Sequence, residues 1–251
     1  MAAKGELKDI YFNKKDVDLN AYPFNLPFFI NTNQISINPQ VTYFVGENGS
    51  GKSTMLEAIA VACGFNPEGG SMNFNFGTRE SHSPLHRHIT ISRGTHRHTD
   101  GYFLRSESFF NVATEIERLD YDEETDVQTS SIINSYGGVS LHQQSHGESF
   151  WALFSHRFGG NGLYILDEPE AALSPAKQMA MLLRMHELAG LRSQFLIATH
   201  SPIILAYPFA TIYEFTEQGI AKRNYEQTEL YQSYHNFLHN PQQMIKRLLD
   251  L

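Results

Sequence analysis

The run Gly46-Glu47-Asn48-Gly49-Ser50-Gly51-Lys52-Ser53-Thr54 combines residue types that hold phosphate. Its glycines let consecutive backbone N–H groups turn inward and wrap anionic oxygens. At this spacing Lys52 can reach the outer phosphates of a nucleotide, and the Ser53 hydroxyl is placed to ligate Mg²⁺. A second run, LYILDEPEAALSP, delivers Asp167 and Glu168 to the end of an apolar strand that Pro169 stops. Adjacent carboxylates in such a place are costly unless a cation or a reacting group faces them. Asp167 is therefore expected to hold Mg²⁺ with Ser53, while Glu168, pointing differently, can polarise an attacking water. A third run, QFLIATHSP, ends in Thr199-His200-Ser201. An imidazole there can hydrogen-bond a terminal phosphate and report its presence. The chemistry these residues could do together is phosphoryl transfer from a Mg²⁺-bound nucleotide.

Positioning such groups needs strands that end side by side. The apolar segment VTYFV (41–45) leads into the glycine run, and helical spacing follows from Lys52 to about Cys63. Further on, LYILD, a helix over 175–189, QFLIA (194–198) and TIYEF (211–215) alternate. Strands alternating with helices predict an α/β fold with a mostly parallel central sheet. Ahead of it, residues 7–45 read as strand-rich, with LPFFI (26–30) and QISI (34–37) expected as strands across the turn NTN. Residues 88–104 suggest a strand pair across RGTHRHTDG, and 109–119 a helix. DEETD (122–126) reads as a solvated surface, another helix begins near Gly147, and two polar-apolar helices close the chain.

Composition narrows the classes. The formal net charge of −8 disfavours unassisted binding along a nucleic-acid backbone, which needs clustered Lys and Arg. One cysteine, Cys63, excludes an internal disulfide framework; its apolar helical neighbours make it a buried structural thiol of a reducing compartment. The first residues lack the apolar core of a signal peptide, and no stretch approaches the roughly 20 apolar residues of a membrane span. A cytoplasmic protein is expected. His82, His86, His88, His96 and His98 crowd one segment, but ligand count and geometry for zinc are unmet, so a polar loop and hairpin is the better reading.

Taken in order, GENGSGKST, SHGES (145–149), LYILDEPEAALSP and ATHSP resemble the ATP-binding-cassette class of P-loop ATPases over about residues 20 to 215. Within the class the chain resembles stand-alone bacterial AAA-type ATPases related to the SMC, RecF and overcoming-lysogenization-defect proteins. The resemblance implies a single ABC-type ATPase domain over 1–251, with an antiparallel N-terminal part and a peripheral, signature-bearing lobe over roughly 66–150. It implies ATP and Mg²⁺ as ligands, and an ATP-dependent homodimer in which ATP lies between the P-loop of one subunit and the signature of the other. Ser145 and Gly147 would then contact the partner's γ-phosphate.

Departures from the transporter pattern are specific. Gln144 precedes the signature serine, His146 stands in place of a glycine, Glu148 in place of a glutamine, and Ser174 in place of the D-loop aspartate. These disfavour a transporter subunit and favour an ATPase that acts on a separate effector, nucleic-acid-linked or defensive. Arg105 or Glu107 falls where the class has its metal-shell glutamine. Tyr22 has the spacing of the adenine-stacking aromatic, with Phe24 as a second candidate. Glu170 reads as scaffold beside the two catalytic acids.

Overall fold

A computed structural model describes residues 5–72, 83–105, 113, 114, 116, 118, 120–122, 127, 128, 132–143 and 145–250. The strands are β1 (Gly5–Phe12), β2 (Gln34–Ser36), β3 (Val41–Gly46), β4 (Gly70–Ser71), β5 (Ile89–Arg97) and β6 (Asp100–Arg105). A two-stranded ribbon, β7 (Tyr121–Asp122) and β8 (Val127–Gln128), follows, then β9 (Gly162–Asp167), β10 (Gln194–Ala198), β11 (Ala210–Thr216) and β12 (Gly219–Arg223). The helices used below are α1 (Pro27–Asn31), α2 (Lys52–Ala62), α3 (His146–Ala152), α4 (Pro175–Gly190), α5 (Pro202–Leu205), α6 (Glu229–His239) and α7 (Pro241–Leu248).

Seven strands form the central sheet in the order β12-β11-β3-β10-β9-β6-β4. The five inner strands run parallel, and β12 and β4 pair antiparallel at the edges. Every residue of β9 and β10 is buried, which is why both read as continuous apolar runs rather than alternating ones. Apolar side chains from α4 and α5 cover one face of the sheet; α2, α1 and the antiparallel sheet β2-β1-β5 cover the other. With β3, β9 and β10 adjacent, their carboxyl ends bring the glycine run, Asp167-Glu168 and His200 to one edge. In open α/β sheets ligands bind at that edge.

Two expectations are corrected. LPFFI is not a strand; Pro27 opens the short helix α1. Proline at the first helical position loses no hydrogen bond, and adjacent Phe28 and Phe29 can then both turn inward. Phe28 packs against Phe12 and Phe215, and Phe29 against Phe12 and Phe24. A strand would have sent one of the two to the opposite face. The strands in 88–104 exist, but they do not pair with each other. β5 runs through Arg93-Gly94-Thr95-His96 and pairs with β1, whereas β6 pairs with β9. The helix expected over 109–119 is helical at 113, 114, 116 and 118, and its remaining positions lie outside the described residues, as do 123–126.

Candidate nucleotide site

The P-loop is built by the junction of β3 and α2. Gly51, with φ +97°, leaves the loop in a left-handed conformation directly before the helix. A side chain there would also strike Phe28, its Cβ lying 2.5 Å from a ring carbon. Glycine is thus required both by backbone and by the α1 helix pressed under the loop. Lys52 follows, almost fully buried, and its ammonium donates to the carbonyls of Gly46 and Glu47, each at 2.8 Å. Burial pulls Lys52 below the ordinary lysine range, opposed by the charges of Glu168, Asp167 and Glu170.

Ser53 Oγ donates to Asp167 Oδ1 at 3.0 Å, joining residues 114 positions apart in sequence. Burial pushes the Asp167 carboxyl up to about 6, against the Ser53 hydrogen bond that favours its ionised form. A carboxylate held dry beside a hydroxyl, with the Arg105 and Lys52 charges favouring its ionised form, is a pair of hard oxygen donors. Mg²⁺ takes one or two such protein oxygens and keeps waters or phosphate oxygens for the rest. The residues present therefore fit that ion.

Glu168 has left-handed backbone, φ +51° and ψ +53°, unusual for a residue with a long side chain. Strain of that kind costs about 1–3 kcal/mol and concentrates where function needs a particular side-chain direction. Here it turns Glu168 toward His200, whose Nε2 lies 3.6 Å from Glu168 Oε1, beyond hydrogen-bond range. Burial and the nearby Lys52 charge hold His200 below the ordinary imidazole range, so the ring is neutral at pH 7. The Glu170 carboxylate accepts the backbone N–H of His200, which fixes where that imidazole starts. Glu170, expected as scaffold, holds the neighbouring strand end in place. A cavity of about 190 Å³ beside the loop is lined by Gly46, Glu47, Thr199 and His200 together with Glu214 and the first turn of α6.

On the other flank a cleft is lined by Tyr22, Ser53, Thr54, Glu57 and Arg105. Tyr22 is 63% exposed and shares a 2.7 Å hydrogen bond between its hydroxyl and Thr54. Phe24, the second aromatic candidate, is core, packed on Phe29 and His88. Arg105 stands in register with Asp167 across β6 and β9, and its guanidinium donates to Glu57 at 2.8 Å. Glu107 lies outside the described residues.

Ser145 caps α3, and its hydrogen bonds run to Glu148 and Ser149. Gly147 lies against the turn that follows Glu168: a Cβ there would sit 2.6 Å from the Ala172 carbonyl. Among the described residues, Ser145 bonds Glu148 and Ser149, and the Gly147 carbonyl accepts the Lys177 ammonium. Sequence reasoning missed Lys177 and Glu57; Lys177 had a signal, a cation in the first turn of a helix. Of the histidine-rich segment, His86 bonds the Ser83 carbonyl, His88 packs on Phe24, His96 bonds Asn161, His98 is buried, and His82 lies outside the described residues. Among the described residues no group of three His, Cys, Asp or Glu side chains could hold a metal, and no helix is long and apolar enough to cross a membrane.

A family model described as "AAA domain" matches residues 24–149, and one described as "AAA domain, putative AbiEii toxin, Type IV TA system" matches 96–206. No curated protein sequence matches the chain. Among solved structures, the fold is similar to a nucleotide-free ATP-binding cassette from an ABC transporter, at 16% identity and TM-score 0.51, covering 94% of this chain and 96% of that one. A putative metal-chelate type ABC transporter aligns at 13% identity and TM-score 0.49 over 91% of this chain and 88% of that one. The SMC head domain from Thermotoga maritima aligns at 16% identity and TM-score 0.41 over 87% and 98%. The first of the three carries the fold assignment: a P-loop nucleotide-binding fold of the ATP-binding-cassette type.

Proposed function

The protein belongs to the AAA-domain family, and on that premise we propose that it hydrolyses ATP held between two of its subunits. The observation that carries the reading is the convergence of Ser53 and Asp167, 3.0 Å apart, with buried Lys52 and the Glu168–His200 pair at the same sheet edge. Gly46 to Gly51 wrap the phosphates with backbone N–H groups, Lys52 exchanges its loop carbonyls for outer phosphate oxygens, and Thr54 and Tyr22 flank the base side. Ser53 and Asp167 hold Mg²⁺, which when bound neutralises charge on the phosphate oxygens. Glu168 orients and polarises the water that attacks the γ-phosphorus as the bond to the β–γ bridging oxygen breaks. Neutral His200 donates a hydrogen bond to the γ-phosphate. Most of the rate gain in such transfers is positioning and charge stabilisation.

Ser145 and Gly147 serve the ATP of the partner subunit in this scheme. Among the described residues their hydrogen bonds run to Glu148, Ser149 and Lys177, which suits a role across an interface. The test is the solution mass and turnover of Glu168→Gln. Light scattering should show a monomer without nucleotide and a dimer with Mg-ATP, and turnover should drop by roughly 10² or more, the usual scale for losing a positioned acid–base group. Near-normal turnover removes Glu168 from the chemistry; a mass that ignores Mg-ATP removes the sandwich.

The second family description favours a further reading, in which hydrolysis drives an effector of a toxin or defence system. DNA stimulation of turnover that fades with rising salt would mark a nucleic-acid-linked version of it. A net charge of −8 works against that version.

A further inference from the structure

Glu148 brings a charge into the segment that meets ATP across the dimer. Its carboxylate accepts both the N–H of Ser145, at 2.9 Å, and the Ser145 hydroxyl, at 2.5 Å, closing a capping box at the start of α3. Those hydrogen bonds, and after them the Lys177 charge, hold Glu148 below the ordinary carboxylate range. It is ionised at neutral pH. A full negative charge beside the serine that faces a triphosphate repels that triphosphate. The sandwich therefore needs a cation at the same place.

Lys177 is positioned for it. The first turn of α4 is Pro175-Ala176-Lys177 and carries no acid, although the helix macrodipole favours acids there and disfavours cations. The side chain does not extend into solvent. Its ammonium crosses to the Gly147 carbonyl at 3.1 Å, bonding the residue next to Glu148. A Cβ built on Gly147 would lie 4.0 Å from that ammonium as well as 2.6 Å from the Ala172 carbonyl. The signature turn, the turn after Glu168 and the start of α4 thus meet at one point. A cation at the unfavourable end of a helix, tied to a carbonyl one residue from a carboxylate, breaks a local rule where function compensates.

We propose that Lys177 is a positioning residue of the ATP-bound dimer: its ammonium offsets Glu148 and holds the signature turn against the segment that follows Glu168, so that Ser145 can face the partner's ATP. This rests on the sandwich reading above. Its distinctive consequence is that Lys177 becomes dispensable once Glu148 loses its charge.

The experiment measures Mg-ATP-dependent dimerisation by light scattering in a Glu168→Gln background. Lys177→Gln keeps a donor for the Gly147 carbonyl and removes the charge; thermal melts check its fold. It should weaken the dimer by about tenfold or more, the scale of one uncompensated charge at an interface. Lys177→Arg should stay within a few-fold of the parent, and Lys177→Gln combined with Glu148→Gln should recover most of the loss. Parent-like dimerisation of Lys177→Gln overturns the proposal. So does a loss that Glu148→Gln fails to repair, because the role is then packing alone. If the Glu168→Gln parent itself stays monomeric with Mg-ATP, the sandwich reading fails and takes this inference with it.

Discussion

Two aspartates on neighbouring strands lie at opposite ends of the same sheet and meet opposite treatment. Asp100 opens β6. Arg157 grips it with a two-pronged fork at 2.7 and 2.9 Å, and the Tyr164 hydroxyl adds a third hydrogen bond at 3.2 Å. Asp167 closes β9. The guanidinium in register with it, Arg105, is bonded to Glu57, and burial pushes the Asp167 carboxyl up to about 6. One end spends its charges on the fold. The other keeps a carboxylate at a cost in stability, as the proposed Mg²⁺ site requires. Polar groups at the amino end follow the first pattern: the Gln194 side chain bonds the Leu7 N–H, the Leu7 carbonyl and the Asn38 carbonyl, and Ser193 bonds Gly162 and Gly159.

Removing Arg157 should be the harshest test of that contrast. Arg157→Ala leaves Asp100 without its fork in a partly buried site, and should cost about 2–4 kcal/mol. For a domain of this size that lowers the melting temperature by roughly 5–10 °C, readable by calorimetry. A shift within error would mean that the amino end is no more committed to the fold than the other.

Asp167→Asn should go the other way. A carboxyl raised from 3.8 to about 6 binds its proton more tightly folded than unfolded. The penalty for ionising it is absent below about pH 4, grows as pH rises toward about 6, and is complete above that. At pH 7 the variant should be stabilised on the order of 2 kcal/mol while losing Mg²⁺-dependent turnover. Melts at pH 5 and pH 7 should show the gain growing with pH; a destabilised variant, or a gain that shrinks with pH, contradicts the assignment.

Paired tyrosine variants give the smallest and finest comparison. The Tyr164 hydroxyl is buried, shares its one proton between Asp100 and the Gly159 carbonyl, and accepts the Gly159 N–H. Tyr164→Phe should cost about 1–3 kcal/mol because those partners lose a buried bond. Tyr22→Phe removes an exposed bond to Thr54 that water replaces, and should cost under about 1 kcal/mol. Equal losses in urea melts would erase the distinction between the two ends.

Much of the candidate site was legible because its signals are local. A glycine run before Lys52, an apolar run before Asp167 and another before His200 each state within a dozen residues what the backbone will do. Strand β10 and helix α4 were expected to within a residue of where they lie. What was not legible depended on partners far along the chain. Pro27-Phe28-Phe29 looks like strand until Phe12, Phe24 and Phe215 supply a pocket for both rings. The turn-like residues around Gly94 lie inside β5 because β1, over 80 residues earlier, offers a ladder.

By itself the sequence determined the phosphate loop, the paired acids, the terminal histidine and the alternation that makes a mostly parallel sheet, since residue type and spacing act over a few bonds. Tertiary structure decided which of those groups stand within reach of one another. It set Ser53 against Asp167, left Glu168 short of His200, tied His200 to Glu170, and brought Lys177 to the signature turn. The reason is physical: strand order and the packing of side chains from distant segments choose the neighbours of a charge, and those neighbours fix its solvation, its pKa and its use.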